Sequence, residues 1–298
     1  MYGYIYYYDD LGNYCALNQH TGEITEAVMT SVPVGSRIRT PEQTKAYIDK
    51  VKKEEAEYLR RKEMGELGNF FFLMCREFDD LSVSTAARLF YLCTYLNYEN
   101  EFMLSQRTHM KKSDLQRVLG VSKRTAYDFF NEVSEKYIIE DSEGLKLASS
   151  DIIKGKLGFP GKSYIKCFND SIRKVYRSLE PSKHRYLGYV FMILPFINTE
   201  YNILCWNPTE TEYEDIEGMT IAEFCEIVGY SPKKYKTLMK IYSEITFKFK
   251  GHEEYFLSFA FNPKLKLEES RIFVNPRILY SGSDIRKVLS NGFFRVES

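Results

Sequence analysis

Basic and polar side chains recur at one place in two copies of the same pattern, lysine in both and arginine, tyrosine and asparagine in the first. Lys123, Arg124, Tyr127 and Asn131 share one face of a helical stretch, and Lys233, Lys234, Lys236 and Lys240 share the matching face 109 residues later. Arginine and asparagine are the side chains that bond guanine and adenine through two hydrogen bonds each. Lysine is a point charge suited to phosphate. Cations in the N-terminal half of a helix oppose its dipole, so their clustering there asks for an anionic partner. The chemistry this pattern could do is contact with the backbone and base edges of a duplex.

The elements that must position these residues form a repeated block of 27 residues. Met110–Lys136 reads MKKSDLQRVLGVSKRTAYDFFNEVSEK and Met219–Ile245 reads MTIAEFCEIVGYSPKKYKTLMKIYSEI. Gly120 and Gly229 stand where a first helix must stop, since glycine takes the left-handed position without strain. Ser122 and Ser231 follow as N-caps of a second helix, with Pro232 at a first helical position. Ala126, Phe129, Phe130 and Val133 then face inward, as do Tyr235, Leu238, Met239 and Tyr242. The faces opposite carry Lys123, Arg124, Tyr127, Asp128 and Asn131 in one copy, and Lys233, Lys234, Lys236, Thr237 and Lys240 in the other.

Each block sits in the same surroundings. NFFFLM predicts a strand and Ser84–Tyr95 a helix before copy one; SKHRYLGYVFMIL predicts a helix and YNILCW a strand before copy two. YIIEDSEGLKLAS and FKFKGHEEYFLSFAF follow as hairpins whose Lys146, Lys248 and Lys250 add basic wings. Helix, strand, helix-turn-helix and wing predict an α+β, helix-rich chain with two tandem winged helix-turn-helix domains. The expected division is a β-meander over 1–40 and a charged linker helix over 41–68. Winged helices over 69–170 and 171–282 and a C-terminal tail over 283–298 complete it.

Lys+Arg and Asp+Glu both number 41, so attraction to phosphate must be local. Hydrophobic content of 44% with 28% charged residues describes a soluble globular chain. Six cysteines without a C-x-x-C pair imply buried free thiols in a reducing, cytoplasmic compartment and no zinc. No membrane span is expected, because the apolar stretch 186–197 is short and holds Pro195. GKLGFPGKS lacks the glycine a phosphate-binding loop needs at position 156 and reads as a loop. Asp9-Asp10 and Asp79-Asp80 read as turn residues. Tyr4, Tyr6 and Tyr8 share a strand face that could stack bases or meet a protein partner. No nucleophile–base pair is identifiable, so no catalytic residue, cofactor or metal is expected.

The tandem arrangement, with KSDLQRVLGVSKRTAYDFFNEV and VNPRILYSG, resembles the replication initiators of bacterial plasmids and phages over roughly residues 69–282. The Leu-Gly-x-Ser-x-Arg/Lys corner is shared with transcription regulators. The resemblance implies double-stranded DNA as partner, held by Lys123, Arg124, Tyr127 and Asn131 in one copy and by Lys233, Lys234 and Lys240 in the other. It also implies that one module could support a homodimer. A transcription regulator and a protein–protein adaptor on winged-helix scaffolds remain alternatives.

Overall fold

The computed structural model describes residues 3–26, 41–76, 78–157, 163–260, 271–290 and 294–296, and the chain in it is mixed α+β. It divides into two units, residues 1–63 and 64–298. In the first, alternating tyrosines form β1 (Tyr4–Tyr8), which pairs antiparallel with β2 (Tyr14–Asn18), followed by β3 (Ile24–Glu26). Asp9 closes the first turn by accepting from the amides of Leu11 and Asn13 at 3.0 and 2.7 Å. Tyr6 stacks on Tyr14 at 5.9 Å, flanked by Tyr4 and Tyr8. The Lys/Glu-rich run forms α1 (Pro41–Glu66), braced by Lys50–Glu54 and Arg61–Glu57 ion pairs one turn apart.

The second unit opens with β4 (Phe70–Met74) and α2 (Val83–Leu92), whose N-cap Ser82 accepts from the Thr85 amide. A hairpin of β5 (Met103–Ser105) and β6 (Thr108–His109) leads to α3 (Leu115–Leu119) and α4 (Lys123–Val133). The hairpin β7 (Ile138–Glu140)–β8 (Leu145–Leu147), β9 (Ile152–Ile153), β10 (Tyr164–Phe168) and α5 (Asn169–Ser178) follow. Then come α6 (His184–Gly188), α7 (Val190–Ile193), α8 (Ile221–Ile227) and α9 (Tyr235–Ser243). β11 (Thr246–Phe249) pairs with β12 (His252–Tyr255), and β13 (Leu257–Ala260) with β14 (Arg271–Val274). β15 (Leu279–Tyr280) and α10 (Arg286–Leu289) complete the element order.

Helix, tight turn, helix and hairpin thus occur twice, but the two copies do not separate at 170/171. β10 lies between β4 and β15 in one antiparallel sheet, with Lys166 opposite Phe72 on one side and Tyr280 on the other. One apolar core runs through both halves: Phe191 of α7 meets Phe90 of α2 at 5.4 Å and Phe78 at 5.1 Å. Burial of such aromatic pairs dominates core energetics, so an interface built from them joins the halves into one body.

Three further expectations change. SKHRYLGYVFMIL is a broken helix, α6 and α7, ending in a 3-10 turn at Pro195. YNILCW makes isolated bridges (Ile203 to Phe273, Leu204 to Ile197, Cys205 to Gly218) and no continuous strand. Within the expected C-terminal tail over 283–298, Ile285, Val288 and Phe294 are buried in a second core with Phe168, Phe273 and Tyr280. Phe294 and Val296 also hydrogen-bond to the edge of β12. Residues 27–40 of the expected meander and 158–162 of the GKLGFPGKS loop lie outside the described residues.

Candidate nucleic-acid interface

In the first copy Leu115 and Leu119 are buried beneath α3, and Gly120 takes φ 63° and ψ 33°, the left-handed conformation the corner needs. Tyr176 of α5 donates to the Leu119 carbonyl at 3.0 Å and so pins the corner to the rest of the unit. Ser122 accepts from the Thr125 amide at 3.1 Å and starts α4. Ala126, Phe129, Phe130 and Val133 are buried. Glu132 fixes the helix from its other side: it accepts from the Ser82 amide and from the hydroxyls of Ser82 and Thr85. A carboxylate at the N-terminus of α2 also meets the positive end of that helix. Lys123, Arg124, Tyr127, Asp128 and Asn131 are left exposed, and among the described residues the one ion contact on this face is Arg124 with Asp128 at 3.9 Å. Lys112, which the sequence reading passed over, lies 4.0 Å from the Phe130 ring and 5.5 Å from that of Tyr127, beside this face.

In the second copy Gly229 takes φ 66°. The Ser231 cap is corrected: its side chain makes no cap bond, and the Lys234 amide bonds its carbonyl instead at 2.9 Å. Pro232 starts a 3-10 turn there, so the chain reaches α9 one turn later than an N-cap at Ser231 would allow. Thr220 and Glu223 form a reciprocal capping box on α8, a T-x-x-E signal that was readable in the sequence. Leu238 and Tyr242 are buried, the latter donating to the Tyr186 carbonyl at 2.9 Å, while Tyr235 and Met239 are half-buried. Lys233, Lys234, Lys236, Thr237 and Lys240 face outward. Among the described residues none of these lysines forms an ion pair, so their charge is uncompensated.

The two hairpins expected as basic wings differ from that expectation. Lys146 leaves the contact set: its ammonium lies 3.3 Å from Glu101, 2.9 Å from Asp141 and 3.0 Å from Glu143. The Lys146 bond, then the amides of Gly144 and Glu143, hold the Asp141 carboxyl down to about 2. Three carboxylates around one ammonium make the β7–β8 hairpin locally acidic, which repels phosphate. Glu101, His109 and Glu143 converge within 4.8 Å, a spacing that could hold a cation, but the Lys146 ammonium bonds two of the three. Lys250 is paired with Glu66 on the surface, and Lys248 is exposed, its carbonyl accepting from Lys174 at 3.0 Å. Lys250 and Gly251, at φ 47° and 86°, form the two-residue turn that matches hairpin twist.

Asp80 does more than close a turn, since it accepts from Lys136 at 2.6 Å and from the Tyr137 hydroxyl at 2.9 Å. Arg76, bonded to Asp151 at 2.7 Å, joins the same network. In VNPRILYSG, Arg277 pairs with the buried Glu254 at 2.8 Å and Asn275 bonds the same carboxylate, so this motif holds a turn. All six cysteines are free, and only Cys75 is not fully buried. No helix among the described residues is long and apolar enough to cross a membrane. Compared with protein-family models, curated proteins and solved structures, the chain matches none.

Proposed function

We propose that the chain is a sequence-specific double-stranded DNA-binding protein with two tandem winged helices, acting in the cytoplasm in replication initiation of a phage or plasmid. The observation that carries this reading is the uncompensated lysine face of α9, set behind a left-handed glycine corner like that of α4. In a chain of zero net charge, cations gathered on the second helix of both corners favour a local phosphate footprint. Arg124 and Asn131 on α4 supply base readout, and the α9 lysines supply backbone contact. Because the two copies share one core, the reading helices are held at fixed separation, and the DNA site has fixed spacing between its halves.

Selection from a random duplex library at two salt concentrations tests this. An enriched motif in two parts at constant spacing supports it, and the genomic position of that motif separates a replication origin from a promoter. No enrichment and no salt-sensitive retention would overturn it in favour of a protein–protein adaptor.

A further inference from the structure

Between the end of α2, the β5–β6 hairpin and the start of α5 lies a cleft of about 620 Å³, within the size range of small-molecule sites. Lys154, Asn169 and Arg173 line it together with Tyr95 and Tyr98, and it shares no residue with the outward faces of α4 and α9. Lys154 is only 8% exposed. Its ammonium donates to the Phe70 carbonyl at 2.6 Å, which uses one of three N–H groups. Arg173 is clamped by Thr94, with Nε on the hydroxyl at 2.9 Å and Nη2 on the carbonyl at 2.7 Å. Among the described residues neither cation has a carboxylate at ion-pair distance. Asp170 and Glu99 also line the cleft, but both are exposed. Asn169 is 7% exposed, donates to the Thr94 carbonyl at 3.1 Å and leaves its buried Oδ1 without a partner.

Two cations in one cleft, one of them buried, cost free energy that a bound anion offsets. Burial first, and Arg173 second, push the Lys154 ammonium pKa below its ordinary value. A dianion matches two cations better than a monoanion, and a fork beside a point charge suits phosphate oxygens. Lys154 is too deeply set for the backbone of a duplex to reach, so the occupant is small. The rest of the volume, walled by Tyr98, Asn97, Ser105 and Gln106, has room for a polar ring system.

We propose that this cleft is a binding site for a small phosphate monoester of nucleotide size, with Lys154 and Arg173 holding the phosphate. The site stands independently of the DNA-binding reading.

Calorimetric titration of the full chain with adenosine 5′-monophosphate tests it, with adenosine as the uncharged arm. Binding of the monophosphate at least about tenfold tighter than adenosine is expected, with displacement by inorganic phosphate. Lys154→Met and Arg173→Gln should each weaken it about tenfold or more, while Lys240→Ala leaves it unchanged. The phosphate displacement uses the parent chain and holds even if a variant fails to fold. No heat with the monophosphate at millimolar concentration, equal binding of adenosine, failure of phosphate to displace, or indifference of both folded variants would overturn the proposal.

Discussion

Gly188 at the end of α6 lies against the carbonyl of Val83 in the first turn of α2, so closely that a Cβ there would stand 1.8 Å from the oxygen. The two halves of the second unit cross at this point, and only a residue without a side chain fits. Gly188→Ala should force the helices apart and lower stability by about 3 kcal/mol or more, read as a shift in the urea midpoint. Gly120→Ala and Gly229→Ala are the contrast. Both glycines have left-handed φ but open space around them, so each should cost only about 1–2 kcal/mol. Equal losses at positions 120 and 188 would mean that the crossing is not the tighter constraint.

The corners were legible because their determinants are local. A glycine, a serine two residues on, and apolar residues at helical spacing lie within one stretch, and Ala126, Phe129, Phe130 and Val133 are buried as their spacing requires. The junction was not legible. It depends on pairs such as Gly188 with Val83 and Lys166 with Tyr280, which leave no periodic trace in sequence. Lys146 shows the same limit at the site. Glu143, three residues away, was visible beside it, but Glu101 arrives from the turn before β5 and turns an expected phosphate contact into the centre of an acidic cage.

That cage gives a pH signature. The Asp141 carboxyl is depressed to about 2 from its ordinary 3.8, chiefly by Lys146. A depressed carboxylate stabilises the fold above its ordinary value, and that contribution disappears as pH falls through the depressed one. The β7–β8 hairpin should therefore loosen on acidification between about 4 and about 2. Lys146→Met should move the Asp141 titration up toward the ordinary range, measured by carboxyl carbon NMR. An unmoved titration would show that the turn amides, not the lysine, set it.

His184 should make the junction acid-sensitive over a different window. It is stacked on Tyr176 at 4.0 Å, which in turn stacks on Tyr91 at 3.8 Å, so the imidazole is the last ring of a pile linking α2, α5 and α6. Burial, and then the charge of Arg88, push its pKa down to about 4 from the ordinary 6.5. Between those values the unfolded chain binds a proton that the folded chain does not, so stability falls as pH falls from about 6.5 to about 4. His184→Phe keeps a ring in the pile and removes the titration. Its urea midpoint should change less between about pH 7 and about pH 5 than that of the parent, and an equal change would clear His184 of the effect.

Under the proposed DNA-binding function, α4 and α9 should show two different kinds of loss. Arg124 is the only arginine on the outward face of α4, and its 3.9 Å contact with Asp128 is exposed enough to exchange for a base edge. Arg124→Ala should relax preference at one base position by about 1–3 kcal/mol and leave other sequences bound as before. Lys240 has no carboxylate to release among the described residues. Lys240→Ala should weaken all duplexes alike and reduce the salt slope by about 1, whereas Lys146→Ala should leave that slope as it is. Titrations of an enriched and a scrambled duplex at several salt concentrations measure both terms. If Arg124→Ala and Lys240→Ala lose affinity equally for the two duplexes, base readout does not reside on α4.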